Sequence, residues 1–103
     1  FNIFYNAPTV ILAMYDEKGL TPVQDISAAT QNMLLMAESL GVGACWNGMV
    51  SIGFGDEGMS KKYVEKLNLP EGHRVNHAII LGYAKTEILR GPERKENKVT
   101  FIR

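Results

Sequence analysis

The sequence predicts a small mixed domain of α+β or α/β architecture, with helices layered on a sheet and a terminal strand that adds to a sheet elsewhere. Three observations predict it. Two short apolar segments, at residues 8–15 and 75–83, have the length and composition of buried strands. Between them, a long segment repeats its apolar residues at spacings of three and four, the signature of a helix. A last segment, residues 98–102, alternates weakly and is too short to stand as a strand alone. The order strand, helix, helix, strand, terminal strand follows.

Residues 8–15 open the first strand with Pro8, which a strand tolerates at its start. Asp16, Glu17, Lys18 and Gly19 then read as a turn. Thr21 offers an N-cap, Pro22 suits the first helical position, and Gln24 completes a capping box, with Asp25 as a competing acceptor. The helix runs to about Leu40. Ile26, Ala29, Met33, Ala37 and Leu40 form one apolar face, while Leu34, Leu35 and Met36 fill others. Such a helix expects burial on several sides, by further chain or by a partner subunit. Gly41 ends it as a left-handed cap, and Gly43 keeps the chain turning. Ser51 to Gly58 is a Gly-rich loop. Ser60 caps a short helix with Tyr63, Val64 and Leu67 inward, stopped by Asn68 and Pro70. Residues 75–83 form the second strand, in which Gly82 permits a close backbone approach.

A chain of 103 residues holds one small domain, and its 46% apolar share supports a packed core. Eleven basic and eleven acidic residues cancel, so no overall field points to nucleic acid or a membrane surface. The balance conceals a gradient. Between residues 1 and 47, four acids face one lysine, a net of −3; between 85 and 103, six basic residues face three acids, a net of +3. The longest apolar run, residues 10–15, is far too short to span a bilayer, and no signal peptide is visible. Cys45 is the single cysteine, so no internal disulfide forms; this suits a reducing compartment, and the expected location is the cytoplasm.

Several chemistries are excluded. One cysteine with His73 and His77 does not make a zinc site, and no phosphate-binding Gly-Lys loop is present. Gly53-Phe54-Gly55 lacks the third glycine of a dinucleotide fingerprint. His77, mid-strand among apolar residues, reads as a satisfied core histidine, and His73 as a turn residue. Cys45 reads as an inert buried thiol, and Met33 and Met36 as core filler. Two segments stand apart. Residues 41–48, Gly-Val-Gly-Ala-Cys-Trp-Asn-Gly, combine glycines that permit close backbone approach with the apolar wall of Trp46. Residues 90–95, Arg-Gly-Pro-Glu-Arg-Lys, form the one basic cluster, with side chains suited to phosphate.

Together these segments resemble the nitroreductase family. Residues 27–48, from Ser27 through the Gly-Val-Gly-Ala-Cys-Trp-Asn-Gly run, are similar to the family's central helix and the turn after it. Ala7-Pro-Thr-Val-Ile resembles the strand before that helix. Leu67-Asn-Leu-Pro-Glu-Gly-His with Ala78-Ile-Ile-Leu-Gly-Tyr resembles the short helix and last core strand. Residues 90–95 with Val99-Thr-Phe-Ile resemble the tail, which in some members accompanies a ferredoxin-like domain.

The resemblance implies a nitroreductase-type, antiparallel-rich sheet with flanking helices, here as the carboxyl-terminal part of one domain over residues 1–103. The amino-terminal half, with its Arg-Arg-Ser-x-Arg motif, has no counterpart. It implies an FMN enzyme that takes hydride from NADH or NADPH and reduces a nitroaromatic, quinone or similar small-molecule acceptor. It implies an intimate homodimer with FMN at the subunit interface and residues 99–102 crossing to the partner's sheet. Trp46, Asn47, Gly48 and Met49 map to the flavin ring edge, with Gly48 and Met49 as N–H donors. Arg94 and Lys95 map to the FMN phosphate, with Arg90 in reserve. No side chain is assigned as catalytic acid or base. The alternatives are a non-catalytic flavin-holding or dimerisation module, and an interaction domain without flavin.

Overall fold

A computed structural model describes residues 2–51 and 65–103 of the chain. Four elements follow in order: β1 at Thr9–Asp16, α1 at Pro22–Ser39, β2 at Gly43–Asn47 and β3 at His73–Gly82. The three strands form one antiparallel sheet in the order β1-β3-β2. β3 is central, and its buried residues His77, Ala78 and Ile79 form the middle of the core with Ala13 and Ala37. The antiparallel-rich sheet with a helix packed on it matches the expected fold class.

The α1 helix begins as expected, at Thr21 with Pro22 in the first turn, but the capping box does not form. The Thr21 hydroxyl instead donates to Asp25 Oδ1 at 2.9 Å. The hydroxyl proton thus goes to a charged acceptor one turn on, and the oxygen accepts none of the first-turn N–H groups. The other end is a Schellman motif. Gly41 N–H donates to Glu38 O at 3.1 Å and Val42 N–H to Ala37 O at 2.9 Å, with Gly41 at φ 71°.

Just beyond, Gly43 does not turn. It is the first residue of β2, paired with Gly82, and a Cβ on it would come within 2.9 Å of Gly82 O. Two glycines facing each other let the strands close at this point. Gly82 also abuts the Pro8 ring, where an added Cβ would meet Cδ at 3.2 Å. The close approach expected at Gly82 is thus realised on both sides.

The expected burial of α1 on several sides is not supplied by the chain itself. Thr30 and Ala37 are buried on the side facing the sheet, whereas Leu35, Met36 and Leu40 are exposed. A three-stranded sheet covers one stripe of a helix, and Met36 therefore cannot serve as core filler. Met33 is half-buried. His73 closes the expected turn, its N–H donating to Pro70 O at 3.2 Å, and is also the first residue of β3. Of the expected short helix, Ser60, Tyr63 and Val64 lie outside the described residues, as does most of the Gly-rich loop. Residues 65–67 are helical, with Leu67 exposed rather than inward, and Asn68 ends them at φ 51°.

Residues 83–103 are exposed and contain no strand. The segment 98–102, expected as a short strand, forms none and finds no pairing among the described residues. Among the described residues, no helix is long and apolar enough to cross a membrane.

Candidate functional site

The end of β2 and the turn that follows bring together the first four expected site residues. Successive side chains of a strand face opposite sides of the sheet. Trp46 pairs in register with Ile79 and lies diagonally across from His77. Its ring stacks on the imidazole with centroids 4.2 Å apart and planes 21° from parallel. It remains 39% exposed, so one side of the indole is packed and the rest is free.

Asn47 faces the other way and is 4% exposed. Its Nδ2 donates to Ile3 O at 2.6 Å, and its Oδ1 accepts Met49 N–H at 3.0 Å. Asn47 thereby caps the turn of helix that starts at Val50 and ties it to the segment at residues 2–6. Tyr5 adds a second tie, its hydroxyl donating to Met49 Sδ at 3.7 Å. The turn closes with Ser51 N–H and hydroxyl both donating to Gly48 O, at 3.1 and 2.7 Å.

The Asn47 side chain points into the protein, so only its backbone faces the turn's outer side. One expectation changes in detail. The Met49 N–H is already committed to Asn47 Oδ1, so it does not stand ready as an outward donor. At Gly48, by contrast, an added Cβ would meet nothing within 4 Å among the described residues, which leaves the backbone two residues on from Trp46 open to approach.

The basic pair is not brought to this turn. Arg94, Lys95 and Arg90 are exposed, and among the described residues they form no ion pair or hydrogen bond. The ion pair that does form, Arg74 with Glu17, joins β3 to the turn after β1 at the surface and contributes little.

His77, Thr30 and Asn76 are the residues that sequence reasoning undervalued. His77 is 1% exposed; its Nε2 lies 2.7 Å from Thr30 Oγ1 and its Nδ1 2.9 Å from Asn76 Nδ2. Burial pushes its pKa below the ordinary 6.5. The available signal was the polar pair Asn76-His77 inside an apolar strand, which must find partners if buried. On the other side of β2, a groove of about 540 Å³ runs between residues 5–8 and the ends of β2 and β3. Cys45 opens into it and is exposed, not the buried thiol expected.

The family model described as the nitroreductase family matches residues 1–83. A protein of Archaeoglobus fulgidus with the provisional name NADH dehydrogenase/NAD(P)H nitroreductase is 43% identical over 65 residues, covering 63% of this chain and 35% of its own length. Among solved structures, a nitroreductase with bound FMN from Bacteroides fragilis superposes with a TM-score of 0.84 at 29% identity, over 100% of this chain and 55% of that one. An FMN-dependent nitroreductase from Clostridium difficile superposes with a TM-score of 0.80 at 28% identity, over 99% of this chain and 62% of that one. The chain thus spans 35% of the curated relative and 55–62% of these two structures. With four-fifths of its residues matched by the family model and its whole fold superposing on solved members, this chain belongs to the nitroreductase family.

Proposed function

We propose that the whole protein is an FMN-dependent oxidoreductase that carries reducing equivalents from NADH or NADPH to a nitroaromatic, quinone or similar acceptor, as a cytoplasmic homodimer. One observation carries the reading: the turn at residues 46–49 offers a half-free indole and, two residues on, a glycine whose would-be Cβ meets nothing within 4 Å among the described residues, on a backbone pinned by Asn47. A flat aromatic ligand needs an apolar wall and an edge of fixed polar groups. The ring edge of FMN fits that description. The FMN named with the Bacteroides structure, and the nicotinamide cofactors in the archaeal relative's name, support the same reading.

When bound, FMN would accept hydride from the nicotinamide and return electrons to the acceptor, so the protein's task is to hold and orient it. In this chain Trp46 serves as the wall, and Gly48 allows the backbone to approach the ring edge. Arg94 is assigned to the phosphate for its fork of donors, and Lys95 for its compact charge. The exposure of that pair supports a role outside one chain's own fold. The exposed Val99, Phe101 and Ile102 support the same placement, on a second copy.

The test is a visible spectrum of the full-length protein after FMN loading and removal of excess flavin. The expected result is a retained flavin spectrum that NADH or NADPH bleaches and a quinone restores. A colourless protein would overturn the flavin assignment. A retained spectrum that neither nicotinamide bleaches would leave a flavin-holding module instead.

A further inference from the structure

We propose that His77 is a positioning residue for Trp46: a neutral imidazole, protonated at Nε2, that fixes the plane of the indole. That this indole forms the wall of a flavin site rests on the function proposed above; the coupling of the two rings stands on contacts within the chain.

The hydrogen bonds leave one protonation state. The Thr30 hydroxyl has a single proton, and it donates that proton to Ile26 O at 2.8 Å. The 2.7 Å contact between Thr30 Oγ1 and His77 Nε2 must then run from Nε2–H to the hydroxyl oxygen. Nδ1 is therefore the bare nitrogen, and the Asn76 amide donates to it at 2.9 Å. The other tautomer would set a donor against the Asn76 amide and a bare nitrogen against a hydroxyl with no free proton, and a flipped ring would put carbon at both contacts. The ring therefore has one orientation.

The backbone makes this arrangement possible. Neighbours on a regular strand face opposite ways, so Asn76 should not reach the ring of His77. Between β1 and β3, Ala13 pairs with His77 and Met14 with Val75, which leaves Asn76 as an extra residue in a bulge. A bulge re-aims side chains, and here it turns the Asn76 amide onto the next residue's ring. Held at both nitrogens, the imidazole presents its flat face to Trp46 at 4.2 Å. Among the described residues, Thr30 from α1, Trp46 from β2, Ala13 from β1 and Asn76 and Ile79 from β3 neighbour it, and none of them is charged. Acid would place a proton on Nδ1, against the N–H of Asn76, and release the ring.

The experiment reads Trp46 directly in the full-length protein, by tryptophan emission and near-ultraviolet circular dichroism, with Trp46→Phe as the blank for any other tryptophan. The Trp46 signal is expected to shift as the pH falls below neutrality, and this shift is expected to disappear in His77→Phe, which keeps a ring but cannot titrate. At neutral pH, Thr30→Val is expected to alter the Trp46 signal while Thr30→Ser retains it, because serine keeps the accepting oxygen. A Trp46 signal that ignores pH overturns the proposal. So does a folded Thr30→Val protein whose Trp46 signal matches the wild type. If Thr30→Val does not fold, the pH response of wild type against His77→Phe decides. Flavin affinity, read separately, is expected to weaken in Thr30→Val and not in Thr30→Ser. A wild-type protein that binds no flavin while Trp46 still follows His77 would overturn the proposed function and leave the positioning role intact.

Discussion

A buried neutral histidine ties folding stability to pH in one direction. Burial holds the pKa of His77 below 6.5, so at mildly acid pH the unfolded chain binds a proton that the native chain refuses. The stabilisation is therefore complete above about pH 6.5 and fades as the pH falls toward and below the native value. Thermal melts of the full-length protein are expected to show a falling midpoint on acidification that is shallower in His77→Phe; equal slopes would remove His77 as the cause. Asn47 and Gly48, adjacent in sequence, separate structure from function. Asn47→Ala strands the Ile3 carbonyl and the Met49 N–H. It is expected to cost about 1–3 kcal/mol, read from a denaturant midpoint. Gly48→Val adds side-chain atoms where a Cβ meets nothing. Its stability is expected to stay within about 0.5 kcal/mol of wild type, while flavin content after loading drops. Normal flavin content in that variant would move the ring site elsewhere. The residue-level site is only half legible in sequence. Asn47 stands out for its place beside Trp46, yet nothing in the letters distinguishes an amide that faces a ligand from one that caps the turn behind it.

At the scale of elements, α1 is readable from spacings of three and four, which burial on one face imposes, and β1 and β3 from short apolar runs of strand length. The Schellman end of α1 is readable because few residues other than glycine settle at φ 71°. The same letter misleads two residues later. Gly43 serves a close strand approach instead of a turn, and β2, only five residues long, has too few apolar positions to announce a strand. Gly43→Ala tests the point: its Cβ would lie 2.9 Å from a backbone oxygen, which cannot swing aside as a side chain can. The expected cost is about 1–3 kcal/mol, seen as a lower denaturant midpoint with an unchanged slope. A neutral outcome would mean that β2 and β3 separate at that end without penalty. The bulge at Asn76 is illegible for a different reason, since it depends on the register of two strands far apart in the chain. That bulge is nonetheless what turns an ordinary core histidine into one with a single orientation.

The whole molecule is more extended than its length requires. The radius of gyration is 16.6 Å, against about 13 Å for a compact chain of this size. Residues 83–103 leave the sheet, are exposed and carry a net charge of +3. Leu35, Met36 and Leu40 on α1 and Ile88, Leu89, Val99, Phe101 and Ile102 on the tail are large, apolar and exposed. Exposed apolar surface on that scale is what an interaction site presents, and the homodimer proposed above would cover it. The nearly all-round apolar character of α1 signals this in the sequence, but periodicity does not say which faces the chain covers itself. In the full-length protein, removal of residues 98–103 is expected to shift the sedimentation coefficient from dimer toward monomer and to lower flavin content. Arg94→Ala with Lys95→Ala is expected to leave the dimer intact and weaken FMN binding by about 1.5–3 kcal/mol for each charge-assisted hydrogen bond removed. The two variants separate the roles of one short segment. If the truncated protein remains dimeric, the apolar tail is not an interface. If the double variant binds FMN as wild type does, the phosphate is held by other residues, and the basic tail is a solvated surface whose charge serves only to balance the acidic end of the chain.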